Sequence, residues 1–323
     1  FILKNHPITM EEFVSKSCDI YFQQGQIPET ESSALIGGGI RQWQCFTLDG
    51  LPLSFPQITS WYLHYQPLWA IEDIYFSPGS HSGICGSGAM AGKIDICTPM
   101  NFPKEATTRI EIAQGDKNLD WAAIRMDHNI FERVGVSISG SKLEIDGEHS
   151  GENSKAEDVS AKLAALIYKD WAVEIYGQSH EDILDYQPGD TLFHSHDNAA
   201  IGAVHINGKL SSIFLRTSAQ LERYNRHLYD NWNELRFGAD IVTGDIRAAT
   251  RIGIVKPMLF VQMRNFATEG TSCANHDGIS ISTGLNGEIQ LGALSAMIAT
   301  RFDRDYNGNN LPAIEAGARY DFN

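Results

Sequence analysis

The sequence lacks the features that point to several common kinds of protein. It contains no run of about 18 apolar residues, which is the length that a membrane-spanning helix needs. Basic residues are scarce, because 25 Lys and Arg stand against 40 Asp and Glu and give a formal net charge of −15. A surface so poor in positive charge argues against nucleic-acid binding. If the chain sits in a membrane, it must therefore cross it as a closed β-barrel.

Cysteine is also scarce and forms no recognisable motif. No two cysteines have C-x-x-C spacing, so the sequence indicates neither a zinc site nor a redox pair. Their number is odd, and at least one thiol is therefore free or paired outside the chain. Four of them precede residue 100, where both an internal disulfide and small buried thiols fit the pattern. The five are Cys18, Cys45, Cys85, Cys97 and Cys273.

The short motifs of enzymes are missing as well. Neither G-x-S-x-G nor H-E-x-x-H occurs in the chain. The segment His194-Ser195-His196-Asp197 places two histidines on one face of an expected strand end, but no third metal ligand stands at a recognisable spacing. We therefore expect that the protein is not an enzyme and that it carries no cofactor.

The composition and residue pattern of the sequence change near residue 103, which predicts two domains, 1–103 and 104–323. The first is rich in glycine and tight turns, among them Asp49-Gly50, which supplies the positive φ of such a turn. Thr9 and Glu12 fit a capping box at the start of a short helix. This part predicts a compact α+β domain.

The second part alternates apolar and polar residues, with the two-residue period of strands that have one apolar face. In 313–322, for example, Ile314 and Ala316 lie on one face, whereas Glu315 and Arg319 lie on the other. The alternation predicts about thirteen antiparallel strands. They are 107–115, 119–129, 133–145, 158–169, 171–180, 199–207, 209–224, 232–243, 245–254, 257–268, 278–285, 287–302 and 313–322.

Short and long connections alternate between these strands. The strands of outer-membrane barrels are connected in this way, by short periplasmic turns and longer extracellular loops. A soluble antiparallel sandwich also alternates and is the competing interpretation. Tight turns are predicted at Lys169-Asp170, Asn207-Gly208, Gly244-Asp245 and Asn286-Gly287, and longer connections at 146–157, 184–197, 225–231, 269–277 and 303–311. Aromatic residues near strand ends fit an interfacial girdle: Trp121, Trp171, Tyr176, Tyr224, Trp232, Phe302, Tyr320 and Phe322.

Three blocks in the first domain resemble the plug of TonB-dependent outer-membrane receptors. Residues 36–42, followed after six residues by 49–53, resemble the segment that leads to the "DG-x-P" turn of that plug. Residues 68–79 resemble its "IERIEVLRGP" segment, and residues 86–96 resemble its "YGSGAIGGVINI" segment. The blocks stand in the order and at the spacing of the family, and the strand-rich remainder is similar to the beginning of its barrel.

The sequence also departs from the family pattern. Gln42 stands where the family has the glycine of an Arg-Gly pair, 78–80 replace its Arg-Gly-Pro, and Cys85 replaces an aromatic residue. No segment resembling the TonB box is visible at the start, which leaves energised coupling by TonB an open question. The chain begins at Phe1 with neither Met nor a signal peptide, so we expect a processed or truncated start.

The resemblance implies an all-β membrane barrel with an N-terminal α+β plug, surrounded by the lipid of the bacterial outer membrane. It implies uptake of a large, scarce ligand of the cobalamin or ferric siderophore class, and the segment from Gly37 to Gln42 is slightly closer to cobalamin receptors. The alternative is a structural subunit of an outer-membrane assembly that reuses the plug and half barrel without transport. Expected ligand contacts, for which packing of plug against barrel is the competing role, are Gln42, Trp43, Trp61, Tyr62 and His64.

The strand number is too small for a barrel that encloses this plug. The family has about 22 strands, whereas the chain offers about thirteen. With strands about 4.8 Å apart and tilted by about 45°, a closed barrel of about 14 strands leaves roughly 20 Å inside, but a domain of about 100 residues is roughly 30 Å wide. We therefore expect part of a longer receptor, one half of a split barrel completed by a second chain, or a reduced barrel with a displaced plug.

Two acidic segments are candidates for structural calcium, which prefers several oxygen ligands on flexible loops. One contains Asp182, Asp185 and Asp190 together with Glu181. Neither segment has EF-hand spacing, and a solvated acidic loop is the competing interpretation. The other consists of Asp146, Glu148, Glu152, Glu157 and Asp158.

Overall fold

The N-terminal part of the chain forms a small α+β unit. The computed structural model describes residues 7–17, 21–23, 33–35, 44–53, 63–85, 89–103, 105–147, 151–187, 192–230, 233–271, 276–305 and 307–320. The first elements are α1 (Met10–Ser17), β1 (Tyr21–Gln23), β2 (Ser33–Leu35), β3 (Gln44–Leu48), β4 (Leu51–Leu53), β5 (Asp73–Pro78), α2 (Ser82–Cys85) and β6 (Gly92–Cys97), with 3-10 turns at Leu63–Tyr65 and Leu68–Ala70. No helix among the described residues is long and apolar enough to cross a membrane.

The local signals in this unit act as the sequence predicts. The Thr9 hydroxyl accepts a hydrogen bond from the Glu12 amide at 3.2 Å, so α1 starts with the predicted cap. The turn between β3 and β4 has φ of +49° at Asp49 and +81° at Gly50, as a two-residue hairpin requires. Four strands form a sheet in the order β4-β3-β6-β5, in which β3 and β6 are parallel.

The core of this unit is formed by the apolar face of the four-stranded sheet and the two 3-10 turns. Leu48, Ile94, Ile96, Leu63 and Ile71 are all buried almost completely. Alternation explains the burial of β6, because its two isoleucines lie on one face and Asp95 lies on the other. Fully burying such side chains contributes about 1.5–3 kcal/mol each.

The remainder of the chain forms one antiparallel sheet of twelve strands, each paired with its neighbour in sequence. We call this sheet the wall and the elements from α1 to β6 the plug. The expected number of about thirteen strands is one too many, because 232–243 and 245–254 belong mostly to a single strand. The strands are β7 (Thr107–Gly115), β8 (Leu119–Ile130), β9 (Val134–Asp146), β10 (Asn153–Tyr168), β11 (Trp171–Tyr186), β12 (Phe193–Leu210), β13 (Ile213–Tyr229), β14 (Glu234–Thr250), β15 (Val255–Gly270), β16 (His276–Leu291), β17 (Leu294–Arg304) and β18 (Asn310–Tyr320).

Side chains of the wall alternate between a face toward the plug, the inner face, and an exposed outer face. On β11, Glu174, Gln178 and Asp182 are buried on the inner face, whereas Ile175 and Ile183 are exposed on the outer face. The outer face carries more apolar surface than a water-soluble protein exposes, and polar-inside alternation is the pattern of a membrane barrel. Other exposed apolar residues of this face include Ile112, Ile124, Val159, Val204, Leu221, Ile246, Leu259, Ile281, Ile298 and Ile314.

The connections of the wall differ between its two edges. One edge has the short connections 131–133, 169–170, 211–212, 251–254 and 292–293. The other has 116–118, 147–152, 187–192, 230–233, 271–275 and 305–309. All five predicted longer connections fall on this second edge, which is the extracellular edge in an outer-membrane barrel.

Three of the four predicted tight turns are wrong. The turn at Lys169 is present, with φ of +44°. Asn207-Gly208, Gly244-Asp245 and Asn286-Gly287 instead lie inside β12, β14 and β16. Gly208 makes room for an aromatic ring, because a Cβ there would overlap the indole of Trp171 on β11.

The predicted aromatic girdle is also partly wrong. Trp121, Tyr176 and Tyr224 are buried on the inner face, because their strand positions turn them toward the plug. Trp121 lies beside Trp69 of the plug, with ring centroids 5.9 Å apart. Phe302 is exposed on the outer face, as a girdle residue should be. The remaining predicted residues, apart from Trp171, fall outside the side chains that the structure describes: Trp232, Tyr320 and Phe322.

The wall curves around the plug but does not close within the described residues. Its first strand, β7, and its last strand, β18, do not pair with one another. The plug touches both flanks of the sheet, since Ile71 and Glu72 contact β8 whereas Gly83 contacts β17 and β18. The plug therefore lies on the inner face of the wall, and a reduced closed barrel with its plug outside is not what the structure shows.

Candidate functional site

The contact between plug and wall combines apolar packing, such as Trp69 against Trp121, with a line of charged and hydrogen-bonded groups, which we call the polar seam. Seven inner-face residues from seven strands reach the plug directly. Their partners include backbone carbonyls as well as side chains, so part of the contact depends on the backbone conformation of the plug and not on its side chains. The seven are Arg125, Lys162, Gln178, Asp197, Gln220, Arg247 and Glu315.

Lys162 on β10 binds the segment that leads out of the plug. Its ammonium donates to the Thr98 hydroxyl at 2.7 Å and to the Pro99 carbonyl at 2.8 Å. Glu174 on β11 lies 3.5 Å from the same ammonium and is equally buried. A buried charge is tolerated only when it is paired and hydrogen-bonded, and here Thr98 and Pro99, which we call the exit segment of the plug, supply two of the partners.

Arg125 on β8 plays the corresponding role at one flank of the wall. Its guanidinium donates to the Ile71 carbonyl at 2.7 Å and also binds the Glu72 carboxylate. Asp127, two residues along the same strand, holds the guanidinium from the side at 2.9 Å. Five donors in a planar fork allow one arginine to satisfy all three groups.

The Asp49-Gly50 turn lies near the edge with short connections. Asp49 accepts from the Thr98 amide at 3.0 Å and from the Thr98 hydroxyl at 2.6 Å. Arg247 on β14 donates to the Gly50 carbonyl at 2.7 Å, and its guanidinium lies close enough to restrict any side chain at that position. The turn therefore joins the exit segment of the plug to the wall.

The first 3-10 turn of the plug, Leu63–Tyr65, lies farther toward the edge with longer connections. Tyr65 donates to Asp197 on β12 at 3.1 Å and stacks on Tyr224 of β13, with centroids 6.0 Å apart. Next to it, Gln66 donates to Gln178 at 2.9 Å. Aromatic stacking adds about 0.5–1.5 kcal/mol to the apolar area that such a pair buries.

Buried ionisable groups cluster behind this turn. His180 lies between two carboxylates, 2.8 Å from Asp158 and 3.1 Å from Asp182. Asp197 lies 3.8 Å from the His64 ring nitrogen and 3.5 Å from Arg226. The set His64, Asp182 and Asp197 is the group of metal-ligand side chains found among the described residues, with one ligand atom from each within 4.8 Å of the others.

The structure describes only one of the five predicted ligand contacts. His64 is 3% exposed and lies 3.8 Å from Asp197 of the wall, and its predicted role as a ligand contact stays a prediction. The other four, Gln42, Trp43, Trp61 and Tyr62, lie outside the described residues.

Two of the three predicted calcium ligands, Asp182 and Asp185, are not brought together. Asp182 is buried on the inner face, whereas Asp185, three residues farther along β11, binds Asn153 and His194. Residues three apart on a strand lie on opposite faces, which separates these two carboxylates. Asp190 lies outside the described residues. His194 and His196 share the outer face, and His196 binds Glu181 at 2.8 Å.

Plug and wall pack closely beside α2. A cavity of about 40 Å³ separates the two and is lined by Cys45, Lys93, Arg247 and Phe260, among others. Such a volume holds no more than a few water molecules. A Cβ on Gly83 of α2 would lie 2.9 Å from the Cβ of Ala299 on β17. The seated plug therefore closes the wall at this flank.

Solved structures of outer-membrane receptors share this fold. The siderophore receptor PirA from Pseudomonas aeruginosa matches with a TM-score of 0.73 at 15% identity, over 99% of this chain and 57% of that one. A point mutant of the ferric enterobactin receptor PfeA from the same organism matches with a TM-score of 0.77 at 11% identity, over 98% and 58%. The copper transporter OprC matches with a TM-score of 0.71 at 10% identity, over 96% and 56%. No protein-family description and no curated protein matches the sequence.

The predicted fold is confirmed at this level. The described residues share the fold of these solved structures, in which a plug lies against the wall of a β-barrel. It spans little more than half the length of the three solved structures named above. None of the three is a cobalamin receptor, so the predicted closeness to that branch gains no support.

Proposed function

We propose that this chain is the plug and part of the barrel of an outer-membrane receptor that takes up a large, scarce metal chelate by moving its plug. The observation that carries this proposal is the polar seam. The apolar contacts between plug and wall, such as Trp69 against Trp121, are costly to open because opening exposes apolar surface to water. The groups of the seam exchange their partners for water at a net cost of about 0.5–1.5 kcal/mol for a neutral hydrogen bond and about 1.5–3 kcal/mol for one to a charged group.

The seam also has the distribution that a removable plug needs. Its wall residues come from strands at both flanks and at the centre of the sheet, so the plug is oriented from many sides. The exit segment at Thr98 is held by Lys162 and Asp49 together. Energy delivered to the plug by TonB would release these contacts and open a path along the inner face.

The ligand class that we favour is a ferric siderophore or a related metal chelate. PirA and PfeA are siderophore receptors, and OprC is a copper transporter. Cobalamin is the competing ligand, and the glycine-rich run before Gln42 is the sequence feature that favours it. Both are too large for the diffusion pores of an outer membrane, so both need a receptor with a wide barrel.

The unpaired edges of β7 and β18 require further strands, because open strand edges are not tolerated in lipid. We propose that a continuation of the same polypeptide supplies them, in keeping with the greater length of the solved structures. A second chain that completes the barrel is the competing arrangement. Lipid of the outer membrane would cover the outer apolar face, and residues 1–103 and 104–323 would be the plug and barrel domains.

A structural subunit without transport is the second candidate function. It shares the plug, the wall and the membrane location, and it differs only in having no ligand and no plug movement. Neither function involves catalysis, and the solved structures named above are receptors and a transporter. Plug movement is therefore the property that separates the two.

A reversible cross-link between plug and wall tests this proposal. Gly83→Cys with Ala299→Cys, in a chain that also carries Cys85→Ser, joins α2 to β17 across a gap that is slightly shorter than the usual Cβ separation of about 3.5–4.5 Å in a disulfide. Uptake of ⁵⁵Fe-loaded siderophores and of labelled cobalamin is measured in cells before and after reduction. The two single cysteine variants serve as matched controls.

We expect the cross-linked protein to bind chelate at the cell surface but to lose energy-dependent uptake, and we expect a reductant to restore uptake. The Ala299→Cys variant should transport as the parent does, and the Gly83→Cys variant, whose new Cβ meets Ala299 and Glu315 at 2.9 Å, shows how much of any loss is due to crowding alone. Undiminished uptake by fully cross-linked protein would show that the plug need not move. Absence of any chelate binding by the parent would favour the structural subunit.

A further inference from the structure

The polar cluster behind the first 3-10 turn contains more negative than positive charge. Three carboxylates, those of Asp158, Asp182 and Asp197, approach one another among the described residues, and all three are largely buried. Arg226 compensates one of them and His180 another. An uncompensated charge in such a place costs several kcal/mol, and a bound cation is one way to offset that cost.

Asp182 has the carboxylate that a bound cation would satisfy. Its side chain is 1% exposed, and its Oδ1 is occupied by His180 at 3.1 Å. Its Oδ2 is buried and has no hydrogen-bond partner in the part of the chain that the structure describes. Buried polar atoms nearly always have a partner, and a carboxylate oxygen without one needs an explanation.

The neighbours of Asp182 have the composition of a transition-metal site. Asp197 is its direct cross-strand partner on β12, and His64 approaches from the plug. All three side chains are buried, and one nitrogen or oxygen of each lies within 4.8 Å of the others. They come from three separate elements, so the site exists only when the plug is seated.

We propose that His64, Asp182 and Asp197 bind one zinc-like divalent cation that joins the plug to the wall. Ligands about 2.1 Å from a tetrahedral zinc ion lie roughly 3.4 Å from one another. The 3.8 Å between His64 Nε2 and Asp197 Oδ2 needs only a small contraction to reach that value. Three protein ligands leave the fourth position to water.

The ligand set distinguishes this site from the predicted calcium site. Calcium takes six to eight oxygen ligands, whereas this cluster offers one imidazole and two carboxylates in a closed space. Imidazole suits zinc, and thiolate or thioether ligands, which select Cu(I), are absent from this group. Asp182 thus keeps the role of metal ligand that its sequence suggested, but with different partners and a different metal.

Metal binding by the full chain tests the proposal. The purified protein is stripped with a chelator and dialysed against ZnCl₂, and bound zinc is counted by mass spectrometry. We expect about one zinc ion per chain and a weakening of at least about 10- to 100-fold in Asp182→Asn. Asp185→Asn, on the same strand but the opposite face, should bind as the parent does.

A second measurement guards against misfolding of the variant. Zinc should slow amide hydrogen exchange in Leu63–Tyr65 of the parent and leave it unchanged in Asp182→Asn, whose strand content is checked by circular dichroism. The proposal is overturned if the parent binds no zinc, if it binds calcium in preference, or if Asp182→Asn binds zinc as the parent does. None of these outcomes depends on uptake, so the site can fail while the proposed function stands.

Discussion

Loss of the Lys162 ammonium should release the exit segment of the plug. Lys162→Met keeps most of the side-chain volume but removes two charge-assisted hydrogen bonds to Thr98 and Pro99, each of which is worth about 1.5–3 kcal/mol. It also leaves Glu174 without its buried counter-ion. Removing one partner of a buried ion pair costs about 3–5 kcal/mol, so local opening should become easier by that amount.

Amide hydrogen exchange measures this opening directly. The Thr98 amide donates to Asp49 at 3.0 Å, so it exchanges when the exit segment separates from the Asp49-Gly50 turn, a separation that Lys162 opposes by binding the Thr98 hydroxyl. A cost of about 3–5 kcal/mol corresponds to roughly 140- to 3,700-fold faster exchange, since each 1.4 kcal/mol is a factor of about ten. The double variant Lys162→Met with Glu174→Gln should recover part of the loss, because it removes the unpaired carboxylate.

A matched control lies on the neighbouring strand. Lys142 on β9 pairs with Glu157 at 2.9 Å, but its side chain is 56% exposed. Exposed pairs contribute at most about 1 kcal/mol, so Lys142→Met should leave Thr98 exchange almost unchanged. Equal exchange rates in the parent and in Lys162→Met would refute the role that we assign to the polar seam.

Two further predictions concern packing and titration. Gly208→Ala should displace the indole that covers this glycine and destabilise the protein by about 1–3 kcal/mol. Gly202→Ala on the same strand has open space around it and should be neutral or stabilising by up to about 1 kcal/mol. A denaturant midpoint that falls equally in both variants would contradict the strand register. Burial, reinforced by nearby carboxylates, raises the pKa of the Cys97 thiol from 9.0 to about 12. The folded state holds this proton more tightly, so the contribution of the Cys97 thiol to the free energy of unfolding is present below pH 9 and is lost as the pH rises toward 12. Iodoacetamide should therefore label Cys97 at pH 9 far more slowly in folded than in denatured protein. Equal labelling rates would contradict this environment of the thiol.

The fold could be predicted from the sequence because it depends on patterns that repeat. Alternation places Ile175 outside and Glu174 inside, and the same rule applied to twelve strands describes the wall. The plug followed from three sequence blocks, and its Asp49-Gly50 turn has the positive φ that these residues supply. Each of these signals is local, and none of them conflicts with the tertiary structure.

The turns could not all be predicted because glycine serves two purposes in a sheet. At Lys169 the chain reverses, but at Gly208 the missing side chain gives space to Trp171 on the adjacent strand. Only the pairing of β11 with β12 reveals this partner. The prediction of an aromatic girdle was partly wrong for a similar reason, since the side of the sheet on which Tyr176 and Tyr224 lie depends on where the strands begin.

The contacts of the polar seam were missed for a different reason. Arg125 and Lys162 are charged residues at inward positions of strands, and alternation alone could have marked them as lumen groups. Their partners are the Ile71 and Pro99 carbonyls, which carry no sequence signal. Likewise, Asp182 and Asp197 become neighbours only through strand register, and His64 joins them only through docking of the plug.

The most direct test of a plug seated in an outer-membrane barrel is an intact mass of the native protein. The protein is extracted from outer membranes with detergent, and every chain that purifies with it is identified. We expect a membrane-embedded barrel whose mass is well above the 35.8 kDa of this chain, because β7 and β18 need further strands. A folded, monomeric species of 35.8 kDa that is soluble without detergent would contradict the account.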